Sequence, residues 1–410
     1  MREIIFKVSE FPRVSETFII QQIILAINLG YSVKILTRTV LPSSLSSRSN
    51  DIIRHNLISN VIIEDYKIPS NKFLRIINWM KMLFNSRNNL KKVLNYHQQK
   101  SRFSLTWLYE LNFFDKYKNT FLFHVQYGTN KYPLDDLKAI GFSPNVICSF
   151  HGHDAIFPIN GFIKNNHYYD KLFCFSDGVI SNTEFLTNLL INLGCPPNKI
   201  RQIPIPVNTE FFRPELKSSK EASKIFRLIT IGRLHASKGH VYMINALNKL
   251  IKSITDVHLT IIGSGPENDA LNSLIDEYNL KKNISLVGSK SPDEIVALLQ
   301  RSDLFLFTSI SNEDGLSTET QGVSIVEAMS CGLPVICFDT GGVKYTFENG
   351  KSGFLIDEFD VNQMVEKILF FINRRDQLSL MGLNARAFAK EKFDISSITE
   401  TWKRIYSDLY

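Results

Sequence analysis

An α/β protein built from two doubly wound parallel-sheet domains is what this sequence predicts, on three observations. Strand-like apolar runs alternate with helix-like periodicity in two separate blocks. A stretch rich first in proline and then in lysine and serine divides those blocks. The 410 residues suffice for two or three domains at roughly 150 residues each. Strands spaced by helices of about 10–15 residues imply parallel sheets covered on both faces.

In the first block, Glu3–Val8 is a short apolar run. Arg2, Glu3 and Lys7 interrupt what a signal peptide would keep apolar, so the start reads as a first strand. A helical pattern from Ser15 to Leu29 stops at Gly30, a usual helix terminator. Ser32–Thr37 reads as strand, and so do Phe121–Val125, Val146–Phe150 and Gly178–Ser181 further on; Thr183–Leu193, closed by Gly194, is the clearest helix. Pro204 through Ser223 is the irregular divider. The second block carries strands at Phe226–Ile231, His258–Gly263, Ile284–Val287, Leu304–Thr308, Pro334–Phe338 and Gly353–Ile356, with helices at Asp269–Tyr278, Pro292–Gln300 and Val323–Ser330. The division expected is an N-terminal domain over 1–205, a linker over 206–224, a C-terminal domain over 225–390, and a final helix over 391–410 returning to the first domain.

Composition narrows the class. With 44% hydrophobic and 21% charged residues the chain is too apolar to be disordered. It has no run of about 18 apolar residues that could cross a bilayer. Five cysteines without a C-x-x-C pair predict buried thiols in a reducing compartment, neither a disulfide framework nor a zinc site. The expected location is cytoplasmic.

The net charge of +7 is unevenly spread: Lys67 to Arg102 holds nine Lys/Arg and no Asp or Glu. Within it Phe73, Ile76, Ile77, Met80, Leu83 and Phe84 recur at helical spacing, flanked by Lys72, Arg75 and Lys81, with Trp79 and Tyr96 nearby. A basic amphipathic helix with Trp and Phe suits a membrane surface, with Lys72, Arg75, Trp79 and Lys81 as docking residues. A core-packing helix and a nucleic-acid contact are the other readings, and no nucleic-acid motif supports the last.

Open α/β domains bind ligands beyond the carboxyl ends of their strands, so residues there carry the chemistry. Glu319-Thr-Gln-Gly322-Val323-Ser324-Ile-Val-Glu327 follows the strand ending near Thr308. Gly322 permits close backbone approach, and the free N–H groups of the helix starting at Val323 favour phosphate oxygens. Glu327 can accept hydrogen bonds from a vicinal diol such as ribose, and Glu319 lies on the preceding loop. Carboxylate, amides, carboxylate match sugar, diphosphate and ribose in order. Earlier, Gly232-Arg233-Leu-His-Ala-Ser-Lys238 supplies a planar guanidinium and a compact ammonium for a diphosphate that gains charge as it leaves. Gly263-Ser-Gly265-Pro ends another strand; Asn268 stands where a dinucleotide fingerprint needs a third glycine, which argues against a nicotinamide dehydrogenase.

Taken together, Gly232-Arg-Leu with Lys238-Gly239, Gly263-Ser-Gly-Pro, and the E-x7-E run from Glu319 into Glu327-Ala-Met-Ser-Cys-Gly-Leu-Pro resemble a family-4 retaining glycosyltransferase of the GT-B fold. Phe11-Pro-Arg-Val-Ser-Glu-Thr-Phe-Ile19 and Phe150-His-Gly-His-Asp154 resemble the bacterial exopolysaccharide subgroup, of the kind that builds colanic acid. The resemblance implies a hexose-type transfer from a nucleotide-diphosphate sugar, with UDP favoured, to a lipid-linked saccharide at the inner face of the cytoplasmic membrane, without a cofactor. It gives His151, Glu319, Lys238 and Arg233 catalytic roles. Donor binding falls to Gly232, Arg233, Lys238, Gly263, Gly265, Gly322, Val323, Ser324 and Glu327. Ser15, Glu16, Thr17, His153 and Asp154 would face the acceptor or cleft, with Asp154 orienting its loop and Ser15 equally a helix cap.

Two departures stand out: Glu10–Thr17 contains no glycine where related enzymes have a glycine-rich loop, and His124-Val-Gln-Tyr-Gly128 lacks the subgroup's second histidine and phenylalanine. No D-x-D pair occurs in the chain, so protein cations in place of a metal are the expectation, and a metal at His151, His153 and Asp154 has no further recognisable ligands. A nucleotide-sugar epimerase of the same architecture and a non-catalytic nucleotide-sugar-binding partner are the rival readings.

Overall fold

The structure is a computed structural model describing residues 2–13, 16–46, 48–85, 90–100, 106–158, 167–215, 224–311 and 318–409. Its first sheet has seven parallel strands: β1 (Glu3–Lys7), β2 (Ser32–Thr37), β3 (Val61–Ile63), β4 (Leu122–Gln126), β5 (Asn145–Ser149), β6 (Gly178–Ser181) and β7 (Ile200–Gln202), in the order β3-β2-β1-β4-β5-β6-β7. The second has six: β8 (Phe226–Ile231), β9 (Val257–Ile262), β10 (Ile284–Leu286), β11 (Leu304–Phe307), β12 (Val335–Phe338) and β13 (Gly353–Ile356), in the order β10-β9-β8-β11-β12-β13. Both orders reverse direction beside their first strand, between β1 and β4 and between β8 and β11. That reversal opens a crevice at the carboxyl ends.

Burial on both faces explains the continuous apolar strands. Along β1, Ile4 and Phe6 join the core on one face, and Ile5 joins the core on the other. The helix Thr17–Asn28 covers the first of these faces with Ile19, Ile20, Ile23 and Ala26. It starts two residues later than the sequence pattern suggests, and Ser15 lies outside the described residues. The final helix Ile395–Asp408 is capped by the Asp394 carboxylate, which accepts from Ser396 N. It inserts Ile398, Trp402 and Tyr406 into the same core. The Tyr406 hydroxyl reaches His124 Nδ1 at 3.2 Å and the Ser149 hydroxyl reaches its Nε2 at 2.8 Å, so His124 ties this helix to the sheet. Burial holds the His124 pKa down to about 3.

The basic segment forms helices Lys72–Asn85 and Leu90–Gln98. Its apolar stripe divides: Phe73, Ile76, Met80 and Phe84 are 71%, 49%, 58% and 66% exposed, whereas Trp79, Met82 and Leu83 pack against the core. Trp79 is therefore not a surface-docking residue, because its position on the helix turns it inward. Arg75 keeps its charge on the outer part, with Nε donating to Pro69 O at 3.0 Å. Among the described residues no helix is long and apolar enough to cross a membrane.

Candidate active site

Strand ends from both sheets converge on two adjoining compartments of about 280 and 230 Å³. Both are lined by His151, His153, Glu319 and Thr320. The first adds Thr17, Gln21, Arg48, Tyr127, Val323 and Glu327; the second adds Arg233, Lys238 and Ser309. The structure thus brings together His151 and His153 from the end of β5 with Glu319, Lys238 and Arg233 from the second domain. Glu327 and the two cations lie in different compartments that share Glu319.

The second-domain loops are built by close backbone approach. Gly232 N donates to Ile262 O at 3.0 Å and Leu234 N to Ser264 O at 3.0 Å. A Cβ on Gly263 would stand 1.9 Å from Gly232 O, and one on Gly265 2.2 Å from Leu234 O, so both glycines let the two strand-end turns nest; neither lines a compartment. Lys238 ends a short turn, Ala236–Lys238, and the Thr308 hydroxyl donates to Lys238 O at 3.0 Å and to the following Gly239 O at 2.9 Å. Its ammonium donates to Glu319 Oε2 at 2.6 Å. The cation that sequence reasoning assigns to phosphate is thus fixed beside the acid assigned to the sugar. Gly322 caps the helix Val323–Ser330, whose first N–H groups have no helical acceptor.

On the first-domain side, Asp154 is buried and its carboxylate accepts from the backbone of Gly128 at 2.7 Å, His151 at 2.9 Å and Gly152 at 3.0 Å. It shapes the His151 loop, and these three bonds occupy its oxygens, leaving them unsuited to a metal. Burial nonetheless pushes its pKa up to about 6 against the pull of those donors. His151 Nε2–H donates to Gln126 Oε1 at 2.9 Å, its ring sits 4.6 Å from Phe18 and 4.8 Å from Tyr127, and Nδ1 is buried with no partner. Burial lowers its pKa to about 3, so the imidazole is neutral across the physiological range. Glu16 is buried, with Arg13 Nη1 donating to it at 3.2 Å; burial raises its pKa despite that cation.

Glu327 is pushed up to about 7 by burial, opposed by the Arg48 charge across the cleft. Asp154 and Glu327 therefore favour folding most below about pH 4, near their ordinary values of 3.8 and 4.5. That contribution is lost as pH rises through about 6 and about 7 respectively.

Sequence reasoning missed Arg48, Tyr127, Asn182 and Thr183. The last two follow the end of β6 and were open to the same strand-end argument that found His151. Arg48 sits in an irregular stretch with no pattern to mark it.

Residues 212–388 match the family model described as glycosyl transferases group 1. The chain is 27% identical over 400 residues to the amylovoran biosynthesis glycosyltransferase AmsK of Erwinia amylovora, covering 95% of each chain. It is 26% identical over 401 residues to the putative colanic acid biosynthesis glycosyltransferase WcaL of Escherichia coli K12, again covering 95% of each. Among solved structures, the Anabaena protein HepE in complex with UDP superposes with a TM-score of 0.73 at 18% identity over 100% of both chains. A glycosyltransferase from Rickettsia africae superposes with a TM-score of 0.72 at 18% identity, covering 100% of this chain and 98% of that one.

Proposed function

We propose that this chain, which has the GT-B fold of its structural relatives, is a group 1 glycosyl transferase of the bacterial exopolysaccharide type, and that it moves a hexose-type sugar from a nucleotide-diphosphate sugar to a lipid-linked saccharide with retention of configuration. The observation that carries this reading is the meeting of Arg233, Lys238, Glu319 and neutral His151 around one compartment between the two sheets. UDP is the favoured nucleotide, in keeping with the UDP bound to the structural relative HepE.

As the bond between the sugar's anomeric carbon and the phosphate oxygen breaks, negative charge grows on the leaving diphosphate. Arg233, Lys238 and the N-terminus of the helix Val323–Ser330 are the groups that stabilise it, each well-placed donor contributing about 3–4 kcal/mol. Front-face attack forms the new bond from the acceptor oxygen, and the acceptor's proton passes to the leaving phosphate. His151 contributes an uncharged ring to the wall of both compartments, beside Glu319. With protein cations at the diphosphate, transfer proceeds without a divalent metal. The test is a panel of nucleotide-sugars against membrane lipid extract in excess chelator, read by product mass and anomeric NMR. Activity that requires added magnesium or manganese refutes the metal-free reading, and no product from any donor refutes the function.

Glu327 as the acceptor for a ribose diol acts in its ionised form. Donor affinity is then expected to rise as pH increases through about 7. Glu327→Ala is expected to raise the donor KM mainly and to flatten that dependence. An unchanged KM removes Glu327 from the donor site.

The acceptor's lipid places the enzyme at the inner face of the cytoplasmic membrane. The outward Phe73, Ile76, Met80 and Phe84, with Lys72, Arg75 and Lys81 on the same helix, are the docking surface. Neutralising the three cations together should weaken binding to anionic vesicles, since each contributes about 1 kcal/mol near such a surface; equal binding overturns the assignment.

A further inference from the structure

We infer that Thr320 and Gln321 are positioning residues that latch the two domains together and thereby set where Glu319 stands relative to His151. The inference rests on the transferase reading in taking His151 and Glu319 as groups that meet the same sugar. The Thr320 hydroxyl donates to His151 O at 3.0 Å and accepts from Asn182 Nδ2 at 3.2 Å. Thr320 O accepts from the Thr183 hydroxyl at 2.9 Å. Gln321 grips a single backbone unit from both sides, Oε1 accepting from Ile205 N at 2.8 Å and Nε2 donating to Ile205 O at 3.0 Å. Thr320, Gln321, Asn182 and Thr183 are all buried.

The seam is also tightly fitted. Gly152 has φ +108°, and a Cβ there would stand 2.3 Å from Thr320 Cγ2. A Cβ on Gly342 would stand 1.9 Å from Thr320 O. Only glycine on both sides lets the Thr320 strand of backbone lie between the domains.

Among the described residues the chain crosses between domains near Val207 and near Asp394, and these crossings pair with each other: Val207 N donates to Phe393 O at 2.9 Å and Ile395 N to Val207 O at 3.1 Å. Paired crossings make a hinge. Rotation about it would part Thr320 from His151. The Thr320–Gln321 contacts are hydrogen bonds that water can replace on opening, so each contributes modestly to closure, which suits a cleft that must admit substrate and release product. Glu319 immediately precedes Thr320 and is paired with Lys238, so closing the latch fixes the acid and the cation in one movement.

The experiment measures the distance between spin labels on the two domains. Cys174 is exposed and the other four cysteines are buried, so Cys174 takes the first label and Lys252→Cys, on the exposed surface of the second domain, takes the other. In the labelled enzyme Thr320→Val and Gln321→Ala are expected to shift the distribution to different, broader distances, and Thr320→Ser, which keeps the hydroxyl, to preserve it. In unlabelled enzyme Thr320→Val should lower kcat about tenfold or more while the affinity for UDP stays within about twofold, with Thr320→Ser recovering most of the rate. Unchanged distances in Thr320→Val and Gln321→Ala overturn the latch. Shifted distances in an enzyme that neither binds UDP or GDP nor transfers sugar uphold the latch and sink the transferase reading instead.

Discussion

Lys238→Ala is expected to lower kcat by about 10²–10³-fold, with a smaller change in donor KM. The ammonium lies 2.6 Å from Glu319 Oε2 and is carried by a turn that the Thr308 hydroxyl holds through two carbonyls. Its position is thus set before substrate arrives, and on the proposed function no reorganisation is needed as charge moves onto the leaving phosphate. Removing it has a second expected consequence: Glu319 loses its cation and, on the same proposal, stands beside a dianionic diphosphate. Pairing the change with Glu319→Gln separates the two effects, because the double variant loses the cation without keeping the repulsion. Lys238→Arg should recover only part of the rate, since a planar fork cannot occupy the place of a compact ammonium. Steady-state kinetics at saturating donor decide the matter. A kcat within about threefold of the parent would remove Lys238 from the reacting phosphate.

Asp154→Ala is expected to cause the largest loss of stability at the site. Its carboxylate receives three backbone N–H groups, from Gly128, His151 and Gly152, in a buried setting. Each buried donor left without a partner costs about 1–3 kcal/mol. The losses do not add fully, and a total of about 4 kcal/mol corresponds to a fall in Tm of about 8–15 °C for a domain of this size. Asp154→Asn keeps one acceptor oxygen and should lose less. Scanning calorimetry on the two variants gives the ordering, and a Tm for Asp154→Ala equal to that of the parent would show that water replaces the carboxylate. Because the same loop carries His151, activity should fall with stability in Asp154→Ala.

Much of the architecture was legible beforehand for a local reason. Parallel strands buried on both faces must be apolar throughout, and the helices between them must show a 3.6-residue period. Phe226–Ile231, Pro292–Gln300 and Val323–Ser330 accordingly have the same limits in the structure as in the sequence pattern. Where the limits moved, as at Thr17 in place of Ser15, the helix end was set by backbone geometry that periodicity does not record.

The candidate site was partly legible because strand ends and the E-x7-E spacing are linear features. Its arrangement was not. Nothing in the order of residues says that Trp79 turns inward while Phe73 and Phe84 face out, since both sides of that helix are apolar and only the neighbouring core decides which side is covered.

The sequence by itself determined two parallel sheets, the loops at their carboxyl ends, and the acids, cations and histidines that those loops carry, because local periodicity and turn chemistry are written residue by residue. The tertiary structure alone decided that Glu319 pairs with Lys238, that Arg48 faces Glu327, and that Thr320 and Gln321 bind the backbone of the other domain. Each of those contacts joins groups 80 or more positions apart in the chain, and it is the packing of one folded domain against another, or of one strand-end loop against its neighbour, that brings such groups within reach.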